Sequence, residues 1–274
     1  MFTNNAFAAA AQSLPAGFLQ WYLIVMVVAV VVGVLVDMAH KGSAQYFFAN
    51  MRKSKGKGRQ VGGGELASIA VQTAVVDVLA SGEFCNPRRR LAHLLTMYGF
   101  VLYVVTTAIL VFRYSAPGTA APAIVPALWW IGALMVALGG YWFWFFIRVD
   151  VAAEGNSPFR VVRADLFILS LLASVTLGLL WAGTGGGTGL LFWLYLIATA
   201  VLFGTVYWSK FAHMFFKPAA AFEKRLTRAN GTAENLPTQT RDDPEQQKRH
   251  SMELLQNAPM DMGLGIKREA PRHY

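Results

Sequence analysis

The sequence predicts an all-α integral membrane protein, a bundle of five transmembrane helices with the amino end outside and the carboxyl end in the cytoplasm. Three observations carry this. Hydrophobic residues make up 55% of the 274-residue chain and charged ones 14%, against about 25% charged in a typical soluble domain. Five apolar runs stand apart, near or above the ~20 residues that cross a bilayer as a helix. The Lys and Arg residues are segregated between alternate loops in the way that cytoplasmic loops of membrane proteins collect positive charge.

Residues 1–17 carry no charged side chain and read as a tail on the outer side. They lack the positive segment that opens a secretory signal, so the first apolar run is expected to be retained. Helix 1 is expected over 18–38, with Asp37 and His40 at its end. A long loop, 41–90, follows and holds the basic block RKSKGKGR at 52–59. Within it 65–79 has helical apolar spacing but is too short and polar to span, and so reads as an interfacial or docking helix. Helix 2 (91–112) follows three arginines and has His93 in its first turn. Helix 3 (124–147) ends in an aromatic cluster suited to an interface belt. Helix 4 (164–182) has Asp165 in its first turn, where a carboxylate suits the helix dipole. Helix 5 is expected over 190–216 and to stop at Pro218, whose ring cannot continue a helix. The membrane domain is thus 18–218, and 219–274 forms a polar tail.

Orientation follows from the charge count. Nine Lys and Arg lie between residues 41 and 90, and Arg148, Arg160 and Arg163 lie between helices 3 and 4. In the two remaining loops and the amino-terminal tail, Arg113 alone lies near the opposite face, which puts the basic loops and the carboxyl-terminal tail in the cytoplasm. The single cysteine, Cys85, excludes an intrachain disulfide and any cysteine-cage metal or iron–sulfur site within the chain.

This topology brings His40, His93 and His213 to one depth. Two histidines on facing helices at equal depth are what bis-imidazole ligation of a b-type haem requires, and His93 and His213 meet that condition. Gly99 and Gly204 are small enough to admit a flat macrocycle. Arg88, Arg89, Arg90 and Lys210 are near enough in sequence to pair with propionates. Histidines at interfaces are also satisfied by water, head groups or backbone carbonyls, and His40, beside Lys41, suits a snorkelling interfacial role. A divalent metal held by the three histidines with Asp37 is a further arrangement of the same groups.

The two histidine contexts, RRRLAHLLTMYGF at 88–100 and SKFAHMFFKP at 209–218, resemble the respiratory nitrate reductase gamma-subunit superfamily of membrane cytochromes b. Within it the chain is most similar to the membrane subunits of heterodisulfide-reductase-like and quinone-interacting membrane-bound oxidoreductase complexes. As a stand-alone chain of this length and character it looks most like the membrane anchor associated with dissimilatory adenylylsulfate reductase. The resemblance covers nearly all of 18–218. It implies that His93 and His213 are axial ligands of haem b. It also implies electron exchange between the quinone pool and a soluble cytoplasmic partner, such as adenylylsulfate reductase in sulfur metabolism, at the inner membrane. A second haem is usual in the family, with ligands deeper on the same two helices. Here Tyr103 and Tyr195 stand there, ten residues after His93 and eighteen before His213, offsets of roughly 15 and 27 Å along a helix. One haem on the cytoplasmic side is therefore expected. A quinone site should lie close to it, with Asp37, His40 and Lys210 as candidates to bind quinone or exchange its protons. The other expectation, of a different class, is a haem-free structural anchor that recruits the soluble enzyme and binds quinone directly.

Overall fold

The computed structural model describes residues 2–41, 48–49, 51–52, 58–82, 84, 87–148, 156–209, 213–233 and 236, and every regular element among them is helical. Four helices are long and apolar enough to cross a membrane: α2 (Phe18–Lys41), α4 (Pro87–Tyr114), α5 (Ile124–Trp142, extended by a π-helical turn, Phe143–Ile147) and α6 (Leu166–Gly183, entered through a 3₁₀ turn, Arg163–Asp165). This is the composition of a multi-pass membrane protein. The fifth apolar helix, α7 (Leu190–Gly204), has 15 residues, about 22 Å at 1.5 Å per residue. The 3₁₀ turn Val206–Trp208 lengthens it.

Side-chain contacts set the directions. Thr96 and Ala92 of α4 meet Gly139 of α5, while Gly99 meets Gly132, so these neighbours are antiparallel. A Cβ on Gly132 would stand 2.7 Å from the backbone nitrogen of Tyr103, and one on Gly99 2.8 Å from that of Val136. Glycine at both positions lets the two backbones touch, the packing that small residues permit between apolar helices. Gly99 is thus spent on helix packing and is not available to a macrocycle. Along α2, Phe18 meets Trp193, the Tyr22 hydroxyl donates to the Leu196 carbonyl at 2.6 Å, and Gly33 approaches Val206. Helices α2 and α7 are therefore parallel. The ends of α2, α5 and α7 and the starts of α4 and α6 share one end of the bundle, which carries His40 and His93.

The opposite end is closed by α1 (Ala6–Ala11), a helix within what the sequence predicts to be a plain tail. Asn5 caps it, its side-chain oxygen accepting from Phe7 N and Ala8 N at 3.0 and 3.3 Å, which satisfies two of the amide donors a helix start leaves unpaired. Phe7 is buried edge-on against Trp129 and Trp181. Gly186, with φ +80°, lies so close over Ala6 that an added Cβ would fall 2.5 Å from its Cα. The glycine-rich turn between α6 and α7 is the seat of this plug.

The last apolar run is not one helix. Its ladder stops at Gly204, and Ser209 is extended (φ −111°, ψ 173°). A separate helix, α8 (His213–Ala229), then begins, with Pro218 inside it. Pro218 therefore does not end the helix, and His213 is the first residue of α8 rather than a residue one turn inside a membrane span. The physical reason is the change of pattern: beyond Trp208, charged residues recur through Lys217, Glu223, Lys224, Arg225 and Arg228, which suits an amphipathic helix and not a spanning one. Proline there forfeits one ladder bond, and packing of the helix offsets it.

Helix α8 packs on α3 (Gly63–Gln72, continued by a π-helical segment, Thr73–Leu79), so 65–79 is helical as expected. Arg225 holds Asp77 with two bonds, Nε to Oδ2 at 2.6 Å and Nη2 to Oδ1 at 2.9 Å, and reaches Gln72 Oε1 at 3.1 Å. Arg59 pairs with Glu65 and donates to the Ala229 carbonyl at 3.0 Å. Between α5 and α6, Asp165 accepts from Arg148 Nη1 at 2.6 Å and from Val162 N at 3.0 Å, both side chains being buried. The expected partner of Asp165 was the dipole of its own helix; its dominant partner is Arg148.

Candidate functional site at the histidine end

His93, an exposed residue in the second turn of α4, is met by Ser81 and Phe84, which follow α3. Ser81 Oγ is 3.0 Å from His93 Nδ1. The Phe84 ring is 4.8 Å from the imidazole, and Lys217 Nζ is 4.8 Å from the Phe84 ring. Ser81 is buried and takes φ +49°, a left-handed conformation that costs a non-glycine residue of order 1 kcal/mol. Such strain persists where the surroundings fix it, and here they do: the Gly82 amide donates to the Val76 carbonyl at 2.7 Å, and two α4 side chains hold the carbonyls that end α3. Arg90 Nε donates to Ala80 O and the Tyr98 hydroxyl to Leu79 O, each at 2.8 Å. In the tautomer that donates Nδ1–H to Ser81 Oγ, the ring nitrogen of His93 whose lone pair suits a metal is Nε2. Metal-binding histidines are oriented in this way by a partner on the other ring nitrogen.

Two of the three arginines before His93 hold carbonyls at the ends of neighbouring helices. Arg90 caps α3, and Arg89 Nη2 donates to Ile147 O at 3.1 Å, at the end of α5; Arg88 is exposed. Cations at the start of a helix oppose its own dipole. That misfit was the signal, legible in the sequence, that they serve the carboxyl ends of neighbouring helices.

His40 is exposed and meets Tyr207 edge-on at 5.9 Å, while Asp37, one turn earlier, is only 3% exposed. These two share the α2–α7 seam, whereas His93 belongs to the α3–α4–α8 corner. The first turns of α8 reach that corner through Lys217, one turn after His213. The His213 imidazole itself, Lys210, Cys85, most of the basic block and the tail from 237 onward lie outside the described residues. Among the described residues no group of three or more His, Cys, Asp or Glu gathers as a metal site. Gly204 has open space where a side chain would be.

Toward the α1 end the space between α4 and α7 is full. The hydroxyls of Tyr103 and Tyr195 are 3.0 Å apart and buried. Trp181 stacks on Tyr195 at 5.4 Å, and Tyr103 lies 5.1 Å from Trp129. A side chain on Gly178 would meet the Tyr103 hydroxyl at 2.9 Å. The unequal depths that residue counting assigns to these tyrosines are corrected by the break after Gly204, because the eighteen residues between Tyr195 and His213 do not run along one helix.

Outside the spanning segments, the hydrogen bond from Arg225 holds the Asp77 carboxyl below its ordinary range, and Arg59 does the same for Glu65. Burial raises the Glu223 carboxyl. No protein-family model, curated protein or solved structure matches the chain.

Proposed function

We propose that the chain is a membrane anchor and electron-transfer subunit that links a soluble cytoplasmic oxidoreductase, of the adenylylsulfate reductase kind, to the quinone pool through one b-type haem. The observation that carries the reading is the imidazole of His93, held at Nδ1 by a strained, buried serine in the manner of a ligating histidine. His213 is the second axial ligand in this reading, and Arg88 with Lys210 meets the propionates. Arg89 and Arg90, which also hold Ile147 and Ala80, add positive charge beside them. Bound haem supplies a one-electron couple between the partner's redox centre and quinone. Asp37 and His40 bind quinone or exchange its protons at the α2–α7 seam. The filled aromatic region around Tyr103 and Tyr195 supports one haem rather than two.

Five crossings, with the histidine end in the cytoplasm of the inner membrane, belong to the same reading. Parallel α2 and α7 support it, as does the placement of Arg59, Arg89, Arg90, Arg148 and Arg160 at that end, with Arg113 at the other. The exposed cations of α8, Lys217, Lys224 and Arg228, recur along one face and suit an acidic surface on the soluble partner.

Dithionite reduction of the purified protein tests the reading. A low-spin b-type alpha band is expected, lost in His93→Ala and His213→Ala and kept in His40→Ala. A second reading, a haem-free anchor, is favoured by the Phe84 ring packed against His93. Protein made with ample haem and showing no band selects that alternative.

A further inference from the structure

We infer that α3 is seated in the headgroup–acyl boundary of the lipid leaflet at the histidine end, and that this seating holds Ser81 and Phe84 against His93.

The two faces of α3 differ. Ile69 and Thr73 are buried and Asp77 is bonded to Arg225, so the face with this four-residue spacing is taken by α8. The other face carries Val71, Val75 and Leu79, which are 61%, 50% and 49% exposed. No charged residue occurs between Leu66 and Val76. With 10 α-helical and 7 π-helical residues, the element is too short to span, since about 20 are needed.

What covers the exposed face follows from its neighbour. Leu91, Tyr98, Val105 and Phe112 are exposed at seven-residue intervals along α4, the stripe that a spanning helix turns to lipid. Tyr98 belongs to that stripe, and its hydroxyl is bonded to the last carbonyl of α3 at 2.8 Å. The apolar face of α3 is therefore continuous with the lipid-facing flank of α4. Tyr98 stands eleven residues into α4, about 16 Å along the axis, and its side chain leans back toward the helix start. The end of α3 thus lies roughly 10 Å in from the start of α4, within the depth at which interfacial helices bury their apolar face.

Ser81 follows α3 after one residue. A helix held by lipid on one face and by α8 on the other fixes where the strained serine turns back onto the imidazole. The lipid seating stands without any haem; its meaning for His93 rests on the function proposed above.

The full chain carrying Cys85→Ser and a single cysteine at Val75, Leu79 or, as reference, Lys224 is labelled with an environment-sensitive fluorophore. It is then reconstituted in phosphatidylethanolamine–phosphatidylglycerol nanodiscs. A lipid carrying a quencher high on its acyl chain should quench the labels at positions 75 and 79 several-fold more than aqueous iodide does, with the order reversed at 224. Labels at 75 and 79 that iodide reaches as readily as the one at 224 overturn the seating and leave that face to a protein partner. In haem-free protein, Val75→Glu should raise carbethoxylation of His93, read by peptide mass, several-fold over wild type and over Val75→Leu. Equal rates in all three overturn the coupling to His93. Neither readout depends on the reduced-haem spectrum, so failure here and failure of the haem reading are distinguishable.

Discussion

Ser81 concentrates two opposed requirements in one side chain. Its hydroxyl orients His93, and its backbone sits where glycine is at ease. Replacing it separates them. Ser81→Gly relieves about 1 kcal/mol of backbone strain yet loses the bond to Nδ1, and Ser81→Ala loses the bond and keeps the strain. On the proposed function both weaken haem affinity by about 10- to 100-fold, the usual effect of losing such an outer partner. Haem titration followed by the absorption spectrum measures it, and Ser81→Gly should unfold no more easily than wild type.

Arg148 and Asp165 form a second residue-scale device. Their ion pair is buried, with Arg148 also donating to the Arg160 carbonyl at 2.8 Å and stacking on Trp144 at 3.9 Å. Removing one charge strands the other, at a cost of about 3–5 kcal/mol. Asp165→Ala should therefore lower the unfolding temperature in detergent sharply, while the double change Arg148→Met, Asp165→Leu should recover much of the loss. Sequence alone placed both residues correctly at one end of the bundle. It could not pair them, because the partners are separated by the loop whose folding brings them together.

At the scale of elements, the α3–α8 clasp has a defined pH response. The Asp77 carboxyl is held below its ordinary value of 3.8 by the Arg225 hydrogen bond. A depressed carboxylate stabilises the docked state fully above the undocked value and loses that contribution as pH falls through the lower, docked one. The contribution of the Asp77–Arg225 pair to docking of α8 should therefore be intact at neutral and mildly acidic pH and be lost only below about pH 4. Hydrogen exchange of the α8 amides checks this, and Arg225→Gln should abolish the acid step by removing its cause.

Four helix positions were legible because long apolar runs leave few alternatives: 18–38, 91–112, 124–147 and 164–182 all fall within the observed helices; 65–79, legible from its helical apolar spacing, is helical too. The last run misled for a definite reason. Apolar residues recur through Phe216, whereas the backbone break at Thr205–Ser209 is marked only by small hydroxyl residues and a change of period. The α1 plug escaped because its sequence, almost wholly alanine around Phe7, has no charge or periodicity to announce burial.

For the whole molecule, backbone contact between α4 and α5 sets the frame. Gly99→Leu would drive a side chain into Val136 N and the Gly132 carbonyl, 2.8 and 2.9 Å from the Cβ position. Both are backbone atoms, which cannot swing aside as a flexible side chain would. The expected outcome is loss of monodisperse protein in size-exclusion chromatography, with Gly204→Ala, which enters open space, as the tolerated control. The histidines illustrate the limit of sequence at this scale. Topology put His40, His93 and His213 at one end, and the fold then divides His40 from His93 between two corners, because α3, on which α8 packs, is bonded to α4 through Arg90 and Tyr98, while His40 meets Tyr207.

On the proposed function, the aromatic plug at the α1 end has a bearing on energy conservation. Phe7, Trp129 and Trp181 pack that half of the bundle, where the Tyr103 hydroxyl is bonded to that of Tyr195 and Trp129 Nε1 donates to Thr107 Oγ1. A redox reaction confined to the histidine end would take up and release its protons on the same side as its electrons. Turnover of that kind is electroneutral: it moves no net charge through the bilayer, and its rate would be indifferent to membrane potential.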